Sequence, residues 1–147
     1  MTTHILVDKN GYPLNITSTS AKGDERKQVI PLLNTIMKFI NRDNFSKVVP
    51  ILEADKGYDS KHLRTQVLKC NIFPWISYRE WKNKKKNGIP LIKSMRWKVE
   101  RAISWLQRKY RRIAVRYERK MKYWVAFLKF SLINFWMFKL ENIGGFM

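Results

Sequence analysis

The chain has 147 residues, 45% hydrophobic and 14% aromatic, which is enough to bury a core and excludes a disordered segment. Thirty Lys and Arg face 11 Asp and Glu, a formal net charge of +19. That excess points to a polyanionic partner, because cations laid along phosphates release condensed counterions; an acidic membrane surface is the competing reading.

From the amino terminus, "THILVD" reads as a strand, with Ile5 to Val7 in a β-favouring run. Asn10-Gly11 is a hairpin signal, and "LNITSTS" is the partner strand. No basic segment followed by an apolar stretch precedes them, so no secretory leader is expected. Val29, Leu32, Leu33, Ile36, Met37 and Ile40 then fall at helical spacing, with Pro31 setting the secure start near residue 31. "KVVPILEA" is apolar on both faces and suits a strand inside a mixed or parallel sheet, although Pro50 weakens it. "YDSKHLRTQVLKC" reads as a helix with Asp59 as N-cap, and "NIFPWIS" as a further strand. The order β-β-α-β-α-β predicts an α/β layer.

A basic loop, "YREWKNKKKNGIP", leads to helical spacing from Lys93 to about Tyr110, where Val99, Ala102, Ile103, Leu106 and Tyr110 make one stripe. "RIAVRYERK" fits helix and strand equally. From Tyr123 to Leu140 the pattern is a helix apolar nearly all round, the kind that is buried in a core or covered by a partner. Its apolar run is short for a bilayer crossing and contains Lys129 and Asn134, so no membrane span is expected. The single cysteine, Cys70, excludes an internal disulfide and fits a reducing compartment.

Two carboxylates stand out. Asp55 follows the apolar strand "VVPILEA", where open α/β sheets build their sites, and Gly57 lets the backbone turn away. The plainer reading is an Asp that caps the next turn. Glu100 is the sole acid between Trp81 and Tyr117, on the shoulder of the predicted helix, with Arg96 one turn before it. The plainer reading there is an i,i+4 ion pair worth ~0.2–0.5 kcal/mol. Carboxylates from separate elements also hold pairs of Mg²⁺ ions about 3.5–4 Å apart, which clamp the attacking and leaving oxygens of a phosphodiester. Such a site needs neither His4 nor His62, which read as structural or incidental.

The segments "HILVDKNGYPL", "ADKGYDS" and "RWKVERAISWLQRKYRRIAVRYERK" together resemble the C-terminal part of bacterial insertion-sequence transposases of the DDE type, over almost the whole chain. The resemblance implies an α/β, ribonuclease-H-like mixed sheet with flanking helices. It also implies an Asp-Asp-Glu triad holding two Mg²⁺ or Mn²⁺. By the same resemblance Asp55 is the second Asp and Glu100 the Glu, both catalytic and both metal ligands. Arg96 matches the family's Arg-x-x-x-Glu pattern. Relatives carry Lys or Arg seven or eight residues past the Glu, where this chain has Gln107 and Arg108; some carry Tyr three before the Arg, where it has Lys93.

In the family the first Asp lies on the first strand, upstream of "HILVD". The resemblance therefore implies a single partial catalytic domain over residues 1–147, N-terminally truncated, with Asp8 at the second-strand end. The metal site is then incomplete without an upstream segment supplying the first Asp, and the isolated chain is expected to be inactive. A frameshifted product and a decayed copy account for such a start equally well. An open sheet edge beside the second strand is expected, as an association site.

Phosphate contact is expected from Lys84, Lys85 and Lys86 in the loop and from Arg96, Arg101, Arg108, Arg111 and Arg112; a solvated cationic face is the plainer alternative. Trp81, Trp97 and Trp105 either stack on unpaired bases or pack in a core. The expected function is DNA transposition, by metal-dependent cleavage and strand transfer. The partners are transposon ends and target DNA, with a homo-oligomer when active, in the bacterial cytoplasm at the nucleoid. The alternatives are a catalytically inactive DNA-binding remnant or regulator of the full-length transposase, and a basic ribosome- or membrane-associated module.

Overall fold

The structure, a computed structural model, describes residues 1–40, 49–77 and 95–144. The expected basic loop, with Lys84, Lys85 and Lys86, lies outside them, as does Trp81. The chain divides into two compact units, one of Met1–Gly23 with Lys98–Met147 and one of Asp24–Trp97.

In the first unit, β1 (Thr2–Val7) and β2 (Pro13–Thr19) form an antiparallel hairpin with Ile5 opposite Ile16. Its turn is built by side chains. The Asp8 carboxylate accepts from the backbone N–H groups of Asn10 (2.9 Å) and Tyr12 (2.8 Å), and Gly11 takes φ +87°, which only glycine adopts at no steric cost. His4 is buried, with Nε2 2.9 Å from Thr19 Oγ1, so this histidine is structural. The hairpin packs on α5 (Met121–Gly144), and the core joins Ile16 to Leu106, Trp124, Leu128 and Leu132. Each such side chain taken fully out of water contributes about 1.5–3 kcal/mol. Two polar pins cross this core: Trp136 Nε1–H donates to the Pro13 carbonyl (2.7 Å), and the Tyr110 hydroxyl to Asn134 Oδ1 (2.5 Å). Burial pushes the Tyr110 hydroxyl above its ordinary pKa.

The second unit holds a 3₁₀ turn at Glu25–Gln28, α1 (Val29–Ile40), β3 (Ile51–Ala54), a 3₁₀ turn at Lys56–Tyr58, α2 (Lys61–Lys69) and β4 (Phe73–Ile76). Pro31 lies in the first turn of α1, where a missing N–H costs nothing. β3 begins only after Pro50 and pairs in parallel with β4, Leu52 beside Pro74. Parallel strands need a crossover, and α2 supplies it, burying Leu63 and Val67. The N-cap of α2 is Ser60, whose Oγ accepts from Leu63 N–H at 3.1 Å. The expected cap, Asp59, instead pairs with Arg64 at 2.8 Å.

The architecture is mixed α/β, as expected. Among the described residues the strands form two separate two-stranded sheets instead of one. α3 (Arg96–Lys109) starts in the second unit and continues in the first, and α4 (Arg111–Ala114) follows it. The ambiguous "RIAVRYERK" is thus a helical turn and then irregular backbone. No helix among the described residues is long and apolar enough to cross a membrane.

Candidate functional site

Asp55 stands immediately beyond the carboxyl end of β3. Its backbone is extended, so it leaves the strand and caps the Lys56–Tyr58 turn. Its Oδ1 accepts from Lys56 N–H at 2.7 Å, and its carbonyl accepts from Tyr58 N–H at 2.9 Å. The plainer expectation, a capping Asp, is met. Capping does not bury the group: the side chain is 44% exposed, and Arg96 Nη1 lies 3.3 Å from the same oxygen.

A second acid of β3 reaches the same helix. The two Glu53 oxygens accept from Met95 N–H at 3.1 and 3.2 Å, so a carboxylate sits at the amide end of α3, where the helix dipole favours one. Glu53 thereby holds Met95, the residue that precedes α3. Sequence reading passed over Glu53, although an acid inside an otherwise apolar strand was a visible signal.

Tyr58 closes the other flank. Its hydroxyl is pushed up to about 12 by burial first, then by the negative charge of Glu25 and of Asp55. Tyr58 is therefore a neutral phenol at any working pH. Glu100 lies one turn beyond Arg96 on α3 and is exposed, in the first unit. Among the described residues no three His, Cys, Asp or Glu side chains stand close enough together to hold a metal ion.

The expected cations separate into two kinds. Arg101 is half-buried: Nη2 donates to the Asn10 carbonyl (2.6 Å), and the guanidinium lies 4.7 Å from the Trp105 ring. Lys98 Nζ donates to the Lys9 carbonyl in the same way. These two cations hold the hairpin turn onto α3, and Gly11 permits the approach: a Cβ there would stand 2.8 Å from Arg101 Nη2. Trp105 packs among Tyr12 and Phe135, so the core reading holds for it.

Arg108, Arg111 and Arg112 are exposed at the end of α3 and on α4. Arg112 Nη1 lies 3.6 Å from Glu118 Oε1. Arg108 and Arg111 line an open recess of about 580 Å³ with Gln107, Ala114, Val115 and Tyr117, and Tyr117 is 69% exposed. Cations with an uncovered aromatic ring are the parts that grip a nucleic-acid backbone and stack on a base.

A family profile described as "Transposase DDE domain" matches residues 1–129. The chain belongs to the DDE transposase family. It is 35% identical, over 127 residues, to a Burkholderia cepacia protein named "Putative transposase for insertion sequence element IS402". The match covers 86% of this chain and 57% of that protein, so the chain spans little more than half the length of this curated relative. No solved structure gives a significant match. The motifs quoted above lie within the matched DDE region.

Proposed function

We propose that this chain is the C-terminal part of a ribonuclease-H-like DDE transposase catalytic domain, serving DNA transposition by metal-dependent cleavage and strand transfer. The observation that carries the reading is the Asp55–Arg96 ion pair at 3.3 Å, because it pairs the Asp of "ADKGYD" with the arginine of the Arg-x-x-x-Glu pattern. In this reading Asp55 and Glu100 hold Mg²⁺ or Mn²⁺, for which hard carboxylate oxygens are the fitting donors. The fit is partial, since the described residues offer no group of three such donors. The reading assigns the missing one to an upstream segment carrying the first Asp. A strand from that segment has sheet edges to join, because β1 and β3 each pair with one strand only among the described residues.

When bound, the ions activate the attacking hydroxyl and stabilise the departing oxygen. The chain's own residues do the rest. The Lys56–Tyr58 turn fixes the Asp55 carboxylate at the strand end, Arg96 pairs with it, and Glu53 holds Met95 just before α3. Arg108, Arg111, Arg112 and the lysines Lys84, Lys85 and Lys86 draw the phosphate backbone in. Arg101 contributes by seating the hairpin. The active form is a homo-oligomer on transposon ends and target DNA, in the bacterial cytoplasm at the nucleoid.

The test joins the chain to the upstream reading frame of its element and assays Mg²⁺-dependent cleavage of the element's ends. Asp55→Asn and Glu100→Gln should each abolish cleavage while leaving DNA binding in place. Cleavage that survives either substitution sinks the assignment. The exposed Arg108 and Arg111 also favour a second reading, an inactive DNA-binding remnant or regulator. In that case the joined protein binds DNA with a steep salt dependence and cuts nothing.

A further inference from the structure

Arg108, Lys109, Arg111 and Arg112 stand where α3 gives way to α4, and the fold engages two of these four cations. Lys109 Nζ lies 3.9 Å from the centre of the Phe138 ring, and Arg112 faces Glu118. The side chains of Arg108 and Arg111 have no hydrogen-bond or ion-pair partner among the described residues, and both line the open recess. Tyr117 lines it too, on a stretch of chain that is tied down on either side of the ring. Arg116 Nη2 donates to the Arg119 carbonyl at 2.8 Å, and the Glu118 side chain is only 15% exposed. Tyr117 itself is 69% exposed, and Val115, in the same recess, 57%. A ring left in water on anchored backbone is a preorganised platform, which loses little freedom when a partner covers it. Exposed apolar residues that come singly are ordinary. Here one recess combines such a ring with two uncommitted guanidiniums and the Gln107 amide.

We infer that this recess takes one unpaired nucleotide of a DNA strand, with its base stacked on Tyr117. Paired bases hide their faces inside the duplex and offer a protein only phosphates and base edges, for which the arginines alone suffice. Tyr117 and Val115 call for a flat apolar surface. A base out of the stack supplies one, and it carries its own phosphate for Arg108 or Arg111. The Gln107 amide holds a donor and an acceptor together, so it can meet the polar edge of any base, and no base preference is expected. The recess, about 580 Å³, falls inside the roughly 300–1,000 Å³ of small-ligand sites. The inference deepens the DNA reading above and rests on it for the kind of polyanion.

The test is fluorescence anisotropy of the 147-residue chain, in EDTA, with three probes each about 15 nucleotides long, within the span of one single-strand site. They are oligothymidylate, a duplex, and an abasic strand that keeps the phosphates and lacks the bases. Tyr117→Ala should weaken binding of oligothymidylate by roughly five- to a hundredfold, and leave the duplex and the abasic strand within about twofold. Tyr117→Phe, which keeps the ring, should bind like the wild type. Circular dichroism should not change, because the ring is already in solvent. Equal losses on all three probes, or no loss on any, overturns the inference. So does a wild-type chain that binds the abasic strand as tightly as oligothymidylate, a comparison that needs no variant. A polyglutamate peptide that binds as tightly as oligothymidylate, with the same loss on Tyr117→Ala, makes this a site for acidic peptide and also overturns it. No cleavage is read and no metal is present, so the catalytic reading fails or stands separately. Binding to none of the probes sinks the DNA reading itself; binding indifferent to Tyr117 sinks only this inference.

Discussion

At the scale of single residues, the sharpest constraint is Gly11. Its φ of +87° lies in the left-handed region, and an added Cβ would meet Arg101 Nη2 at 2.8 Å and Lys98 Cβ at 3.2 Å. The arginine tip is flexible and moves cheaply; the backbone conformation does not. Gly11→Ala should therefore cost about 1–2 kcal/mol, read from the urea midpoint. An unchanged midpoint would mean that the hairpin is not held as described. Tyr58 gives a prediction in pH. Its folded pKa, about 12, lies above its ordinary value of 10.0, so the folded state favours the protonated phenol. The sign follows: the contribution is complete below pH 10.0, shrinks as the unfolded chain releases its proton, and is gone above about 12. Across that window wild-type stability should fall more steeply than that of Tyr58→Phe. Parallel curves in denaturant titrations would remove Tyr58 from the half-buried, acid-flanked position beside Asp55.

Secondary elements were legible wherever local chemistry decides them. Asn10-Gly11 announced the hairpin because few residues accept a positive φ, and the stripe Ala102–Leu106 announced α3 because its period is helical. What failed was any choice between two local solutions of equal merit. Asp59 and Ser60 both cap helices well; Ser60 won because Arg64, five residues on, claims the Asp59 carboxylate and also donates to the Ile76 carbonyl. The Asn10 carbonyl that Arg101 serves could not be read from spacing either, because it is remote in sequence. The candidate site shows the same division. Asp55 at a strand end and Arg96 one turn before Glu100 could be found from spacing. That Glu53 reaches Met95 could not, because chain distance carries no information about which helix start a strand meets. The all-round apolar pattern of α5 was plain in the sequence, but only the packed hairpin tells which half is the core side.

For the whole molecule, the charge of +19 sets how the chain meets a polyanion. A nucleic-acid backbone releases counterions when Arg108 and Arg111 replace them, so added salt weakens that contact. Raising ionic strength should therefore lower affinity for a DNA duplex. Arg108→Ala with Arg111→Ala should reduce the slope of log affinity against log salt by roughly two, one for each lost phosphate contact. Circular dichroism should stay unchanged, because both side chains are exposed. A slope equal to that of the wild type would take these two arginines off the phosphate track and leave the charge as a solvated surface.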